Sequence, residues 1–379
     1  MKTIIKNAYI YSSDTSSFQK GSVLFDEKII GFDCLDNSAD FIIDANEALL
    51  IPGFVDVHTH GRAGYDFCDA TEDQMKEMAK SYASKGTTSL FPTLASAPYD
   101  ELMRASDKIN SLKGKTGGAE FLGIHLEGRY LNPLKKGAHA PELLCPPNAE
   151  EIEELVFRMQ LPCHITAALE LDTDESFTKK AKSLGATLGL GHTNADYATA
   201  YSLYQKYGIS FSHLFNTMPP LSHRDSGPVC AGLTTGAYCE LICDGIHIAP
   251  EMINLSYRCL GNKRLSLITD SMQAAGCKDG SYSIAGNPCV VKNGKALTPE
   301  GNLAGSTLDM KTAVENLMAY CNIPLEQALR SATLTPAEQV GVDRIVGSIS
   351  VGKRSDMLLV NLKENTINIE KVFVNGNLI

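Results

Sequence analysis

Short apolar runs alternate with longer segments whose apolar residues recur on one helical face. Phe54-Val55-Asp56-Val57-His58 reads as a buried strand, and Thr71-Glu72-Asp73-Gln74 has the spacing of a capping box. Met75, Met78, Ala79, Tyr82 and Ala83 then fall at the spacing of an amphipathic helix, which Gly86 ends. The same logic predicts strands over 87–91, 121–127, 164–169, 187–192, 209–213, 240–244 and 265–270. Helices are predicted over about 98–112 and from Asn148 to about Gln160, and Pro250 suits the first turn of another. Eight strands in repeated β-α order predict a (β/α)₈ barrel.

Outside this region the pattern changes. Residues 1–50 and 341–379 read as short strands with turns, and neither piece is long enough for a good core. The two ends are expected to pair into one small β domain flanking a barrel over 51–340. Residues 281–297, after the eighth strand, read as a β hairpin that could cover a site.

The chemistry sits where the strands end. Two strands joined by one helix-length segment finish on His192 and His213, the first ends on His58 with His60 after it, the third on Glu127, and the eighth on Asp270. In a parallel barrel those ends converge on one face. Glu with two histidines and open positions is a usual catalytic zinc set, and it also suits iron or manganese. His58-Thr59-His60 would add a second metal position, bridged by Glu127 or a water. Asp270 is the best general base for a water acidified by a metal.

Composition narrows the partners. Across 379 residues the formal net charge is -10, which disfavours general binding to nucleic acid or anionic membrane but leaves room for a small anionic substrate. No apolar run approaches the ~20 residues of a membrane span, and the first residues lack the features of a signal peptide. The 11 cysteines contain no CxxC pair and read as reduced thiols of a cytoplasmic protein.

Longer motifs carry a resemblance. Pro52-Gly53-Phe54-Val55-Asp56-Val57-His58-Thr59-His60-Gly61 and the segment from Gly347-Ser348-Ile349 to Gly352-Lys353 and Asp356 resemble the flanks of the amidohydrolase superfamily. His125-Leu126-Glu127-Gly128, Lys135-Lys136-Gly137-Ala138-His139, Gly191-His192-Thr193-Asn194-Ala195, His213-Leu214-Phe215-Asn216-Thr217-Met218-Pro219, Asp244-Gly245-Ile246-His247 and Leu303-Ala304-Gly305-Ser306 are similar to the N-acetylglucosamine-6-phosphate deacetylase family. The resemblance runs over the whole chain. It implies Glu127, His192 and His213 as metal ligands and Asp270 as catalytic acid/base. It implies that His139, next to Ala138, polarises the acetyl carbonyl. Asn216, Thr217, Arg224 and His247 would hold the sugar phosphate, and Leu303, Ala304 and Gly305 would form a loop over the sugar.

The implied cofactor is one or two divalent ions, zinc or iron, and the implied assembly is a homodimer. Alternatives within the superfamily are another N-acylated amino-sugar phosphate or a cyclic amide. Arg129 stands where family members commonly have proline, and the sequence assigns it no role.

Overall fold

The computed structural model describes residues 1–284 and 287–379. Eight parallel strands form the barrel: β1 (Phe54–Thr59), β2 (Thr87–Ala95), β3 (Ile124–Glu127), β4 (Cys163–Ala167), β5 (Thr187–Leu190), β6 (Ser210–Phe211), β7 (Cys239–Ile242) and β8 (Leu265–Ile268). Each pairs with the next from β1 to β8. The seam between β8 and β1 is closed by single bonds rather than a ladder. Asp270 N–H donates to the His58 carbonyl at 2.9 Å, and His60 N–H to the Ser271 carbonyl at 2.8 Å. The Thr269 hydroxyl donates to the Asp56 carboxylate at 2.5 Å. The seam therefore joins the strand ends that carry His58, His60 and Asp270.

The helices follow their local signals. Helix Glu72–Ala83 has the capping box in place and buries the five apolar residues named above. Ala149–Met159 is capped by the Asn148 side chain and stops at Gln160 in left-handed conformation. Pro250 opens helix Pro250–Leu260. These apolar faces pack on the outside of the barrel strands in one large core.

The termini do complete each other. Met357–Lys363 lies antiparallel to Leu49–Pro52, which joins the C-terminal strands to Thr3–Ser12 and Ser17–Phe25 in one sheet. That sheet has its own core, including Ile5, Val23, Phe25, Met357 and Phe373.

Three expectations are corrected. The strand over 121–127 is broken into Glu120–Phe121 and Ile124–Glu127, both beside β2, because the register slips by one residue across Leu122 and Gly123: Phe121 lies opposite Leu90 and His125 opposite Thr93. The runs expected to end as strands on His192, His213 and Asp270 leave the ladder early: those residues have φ of 47°, 27° and 48°. Third, 281–297 belongs to a three-stranded meander, Gly280–Ile284, Asn287–Lys292 and Lys295–Leu297, rather than one hairpin. Asn293 and Gly294, both at positive φ, make its two-residue turn. Residues 285–286, between its first two strands, lie outside the described residues.

Gly376 tests the join of the two termini. Its φ is +76°, and a Cβ there would stand 2.0 Å from the Asp26 carbonyl oxygen. Gly376→Ala is expected to lower stability by about 1–3 kcal/mol in urea denaturation, while metal affinity of the folded protein stays at the wild-type value.

Candidate metal centre and active site

Glu127, the last residue of β3, is buried, and five imidazoles turn their Nε2 atoms toward its carboxylate. His213 Nε2 is 2.8 Å from Oε1, with His58 and His192 each at 3.3 Å from the same oxygen. His60 Nε2 is 3.0 Å and His139 Nε2 3.7 Å from Oε2. Donor atoms of His58, His60 and Glu127 lie within 4.8 Å of one another, as do those of Glu127, His139 and His192. The barrel thus gathers the seven residues proposed from sequence as ligands and catalysts, since Asp270 Oδ1 also lies 3.2 Å from His60 Nε2.

The far ring nitrogens reveal what the cluster is built to hold. His192 Nδ1 faces the Lys135 carbonyl at 2.8 Å, and a carbonyl only accepts, so Nδ1 carries the proton. Burial presses His192 down to about 4, which leaves it neutral near pH 7 with a bare Nε2 lone pair. That lone pair points at a carboxylate oxygen, an arrangement that repels unless a cation lies against both. The carboxylate–imidazole donor set therefore fits a divalent ion of the zinc, iron or manganese kind.

The charges of the site are strongly coupled. Burial opposes ionisation of His58 and His60, yet the neighbouring carboxylates outweigh it. His58 is raised well above the ordinary histidine value, and His60 to about 9. Burial likewise opposes the charge on Glu127 and Asp270, and the surrounding imidazoles reverse it, so both are held below the usual carboxylate range.

The cluster forms part of the wall of a cavity of about 430 Å³. Ala138, His139, Asn216, Thr217, His247, Leu303 and Gly305 line the same cavity. His139 is fixed from behind, its Nδ1 2.9 Å from the Ser96 hydroxyl. His247 Nδ1 lies 2.7 Å from the Asp244 carboxylate, whose other oxygen accepts the Ile246 and His247 backbone N–H groups. Its Nε2 makes no hydrogen bond among the described residues, and the ring lines the cavity. The Leu303–Gly305 loop is strapped to the strand end that carries Asp270, with Ser306 N–H donating to the Asp270 carbonyl at 2.8 Å. Gly305, at φ +62°, allows this approach: a Cβ would meet Ile284 Cδ1 at 2.9 Å.

Three residues lie elsewhere. Arg224 is exposed and outside the cavity lining. Ala304 points into the small core under the meander. Arg129, at φ 61°, pairs through Nε with Glu151 at 3.1 Å and lies over the Tyr99 ring, so it ties the loop after β3 to helix Ala149–Met159.

Sequence reasoning missed a buried polar group beneath the Glu127–histidine cluster. Glu240, fully buried on β7, contacts His58 Nδ1 at 3.0 Å and accepts from Gln339 Nε2 at 2.7 Å. His164 Nε2 is 3.3 Å from the same carboxylate. His125 bonds to Thr166 at 2.8 Å and Thr93 at 3.1 Å. A single acid inside the apolar run Cys239–Ile242 was the available signal. Lys136 and Asn302, which line the cavity, had none.

The amidohydrolase family signature matches residues 49–379. An N-acetylglucosamine-6-phosphate deacetylase of Vibrio furnissii is 35% identical over 87% of this chain and 82% of its own length. The chain belongs to the amidohydrolase family and, within it, to the N-acetylglucosamine-6-phosphate deacetylases. An N-acetylgalactosamine-6-phosphate deacetylase of Escherichia coli O157:H7 is 33% identical over 89% of each chain. The crystal structure of N-acetylglucosamine-6-phosphate deacetylase from Pasteurella multocida superposes with a TM-score of 0.90 and 29% identity, covering 100% of both chains. The Pasteurella deacetylase therefore shares this fold over its whole length, and metal dependence is general in the superfamily.

Glu127→Gln should reduce zinc affinity by more than about 100-fold, read by titration of chelator-treated protein. A chelator should lower the melting temperature of the wild type, which loses the ligand-linked stability of about 4 kcal/mol at a metal concentration 1,000 times Kd, and should leave that of Glu127→Gln unchanged.

Proposed function

We propose that this chain hydrolyses the acetamide of N-acetylglucosamine 6-phosphate, giving acetate and glucosamine 6-phosphate. The observation that carries the reading is one cavity holding both the Glu127–histidine cluster with Asp270 and the polar set His247, Asn216 and Thr217. The first set matches amide hydrolysis, the second an anionic substrate group.

Glu127, His192 and His213 would hold a divalent ion, zinc or iron, and His58 with His60 a second one. When bound, such an ion supplies Lewis acidity, polarising a carbonyl and lowering the pKa of a water toward ~7. Asp270 takes the proton of the attacking water and delivers it to the amide nitrogen as the C–N bond breaks. His139 donates from Nε2 to the acetyl oxygen as negative charge develops there, its ring fixed by Ser96. His247, held by Asp244, donates from Nε2 to the phosphate together with Asn216 and Thr217. Lys136 adds a cation to the same cavity. Arg224 would reach the phosphate only if its loop closed. A reducing, cytoplasmic setting is supported by free thiols at all 11 cysteines.

A second substrate reading is favoured by one observation. The N-acetylgalactosamine-6-phosphate deacetylase is nearly as similar as the N-acetylglucosamine relative. The two sugars differ only in one hydroxyl's orientation, which the same chemistry accommodates.

The deciding experiment measures acetate release from both phosphorylated sugars and from unphosphorylated N-acetylglucosamine. Faster release from N-acetylglucosamine 6-phosphate is expected, with little from the free sugar. Release from neither phosphorylated sugar by metal-loaded protein would refute the reading. Asp270→Asn should lose about 10²–10⁴-fold in kcat with metal content kept. His247→Ala should raise KM for the phosphorylated sugar by roughly 10–100-fold with a smaller change in kcat.

A further inference from the structure

Glu240 is an acid in the barrel interior that the proposed reaction leaves unused. It is fully buried and each carboxylate oxygen has its own partners. Oε2 faces His58 Nδ1 at 3.0 Å and accepts the His213 backbone N–H at 3.3 Å. Oε1 accepts Gln339 Nε2 at 2.7 Å and lies 3.3 Å from His164 Nε2. One side chain on β7 therefore touches the ring of one proposed metal ligand and the peptide of another.

The geometry fixes a tautomer. A carboxylate only accepts, so the Nδ1 of His58 must carry a proton. In the neutral ring Nε2 is then the lone-pair nitrogen, and it lies 3.3 Å from Glu127 Oε1 and 3.7 Å from Asp270 Oδ1. Among the described residues it has no hydrogen-bond partner of its own. The bond to the His213 peptide acts in the same direction, because it holds the chain where φ is 27°, a conformation an L residue takes only under constraint. Gln339 and the β7 backbone keep the carboxylate in place. A carboxylate behind a metal-binding histidine orients the ring and raises its basicity.

We propose that Glu240 is a positioning residue that fixes His58 as an Nε2 donor, and that occupancy of a cation site formed by His58, His60 and Glu127 depends on it. This rests on the reading of the cluster as a metal centre, and it concerns metal binding rather than substrate.

Zinc alone is titrated into chelator-treated wild type, Glu240→Gln, His58→Asn and the double variant. The wild type is expected to hold two ions per chain. Glu240→Gln should weaken one of them by roughly 10–100-fold while the other stays within error. Adding Glu240→Gln to His58→Asn should cause no further loss, since both changes act through the same ring. A wild type that holds a single ion, a Glu240→Gln protein that binds both as the wild type does, or additive losses in the double variant would each overturn the proposal.

Should Glu240→Gln not fold, nitrogen NMR of ¹⁵N-histidine-labelled, zinc-loaded wild type decides instead. Protonated Nδ1 with metal-shifted Nε2 at His58 supports the assignment, and a proton on Nε2 overturns it. Neither readout uses substrate, so failure to release acetate would refute the deacetylase reading alone.

Discussion

The structure turns on a buried carboxylate that cannot be left as it is. Glu127 ends a strand in the middle of the barrel, where an unpaired negative charge is very costly. Five imidazoles meet it there. Hydrogen bonds alone do not satisfy the cluster, because His192 presents a lone pair to the same oxygen it approaches. A divalent cation resolves that conflict and keeps all the ligands neutral or anionic.

Other features of the barrel serve this arrangement. His192, His213 and Asp270 leave their ladders with left-handed backbones, which turns the side chains inward instead of along the strand. The β8–β1 seam uses bonds from His58, His60 and Asp270 themselves, so the bonds that close the barrel also position the site. Beneath them, a layer of His125, His164, Glu240 and Gln339 takes the place of hydrocarbon. Burying so many polar groups opposes folding unless each is partnered, and the benefit is rigid ligand orientation. The flanking sheet has its own core.

Much of this was legible along the chain. Apolar periodicity gave the eight strands, because each strand is a short buried run between helix-period segments. Capping residues marked helix ends correctly at Thr71, Asn148 and Pro250, since those signals are local. The residues of the Glu127–histidine cluster and Asp270 were visible because they are chemically unusual at the ends of apolar strands. Arg224 was drawn in by its neighbours along the chain, and its loop carries it to the surface.

What the sequence determined by itself was therefore the repeating β-α order, the matched terminal strands and the identity of the residues at the strand ends. Those follow from local periodicity and from residue chemistry. Tertiary structure alone decided which ring nitrogen each histidine presents, that Arg129 serves a loop and Ala304 a core, and that Glu240 stands behind His58. These depend on distances between residues far apart in the chain, such as the 182 positions between His58 and Glu240. No local pattern records such a distance, because it exists only after the barrel has closed.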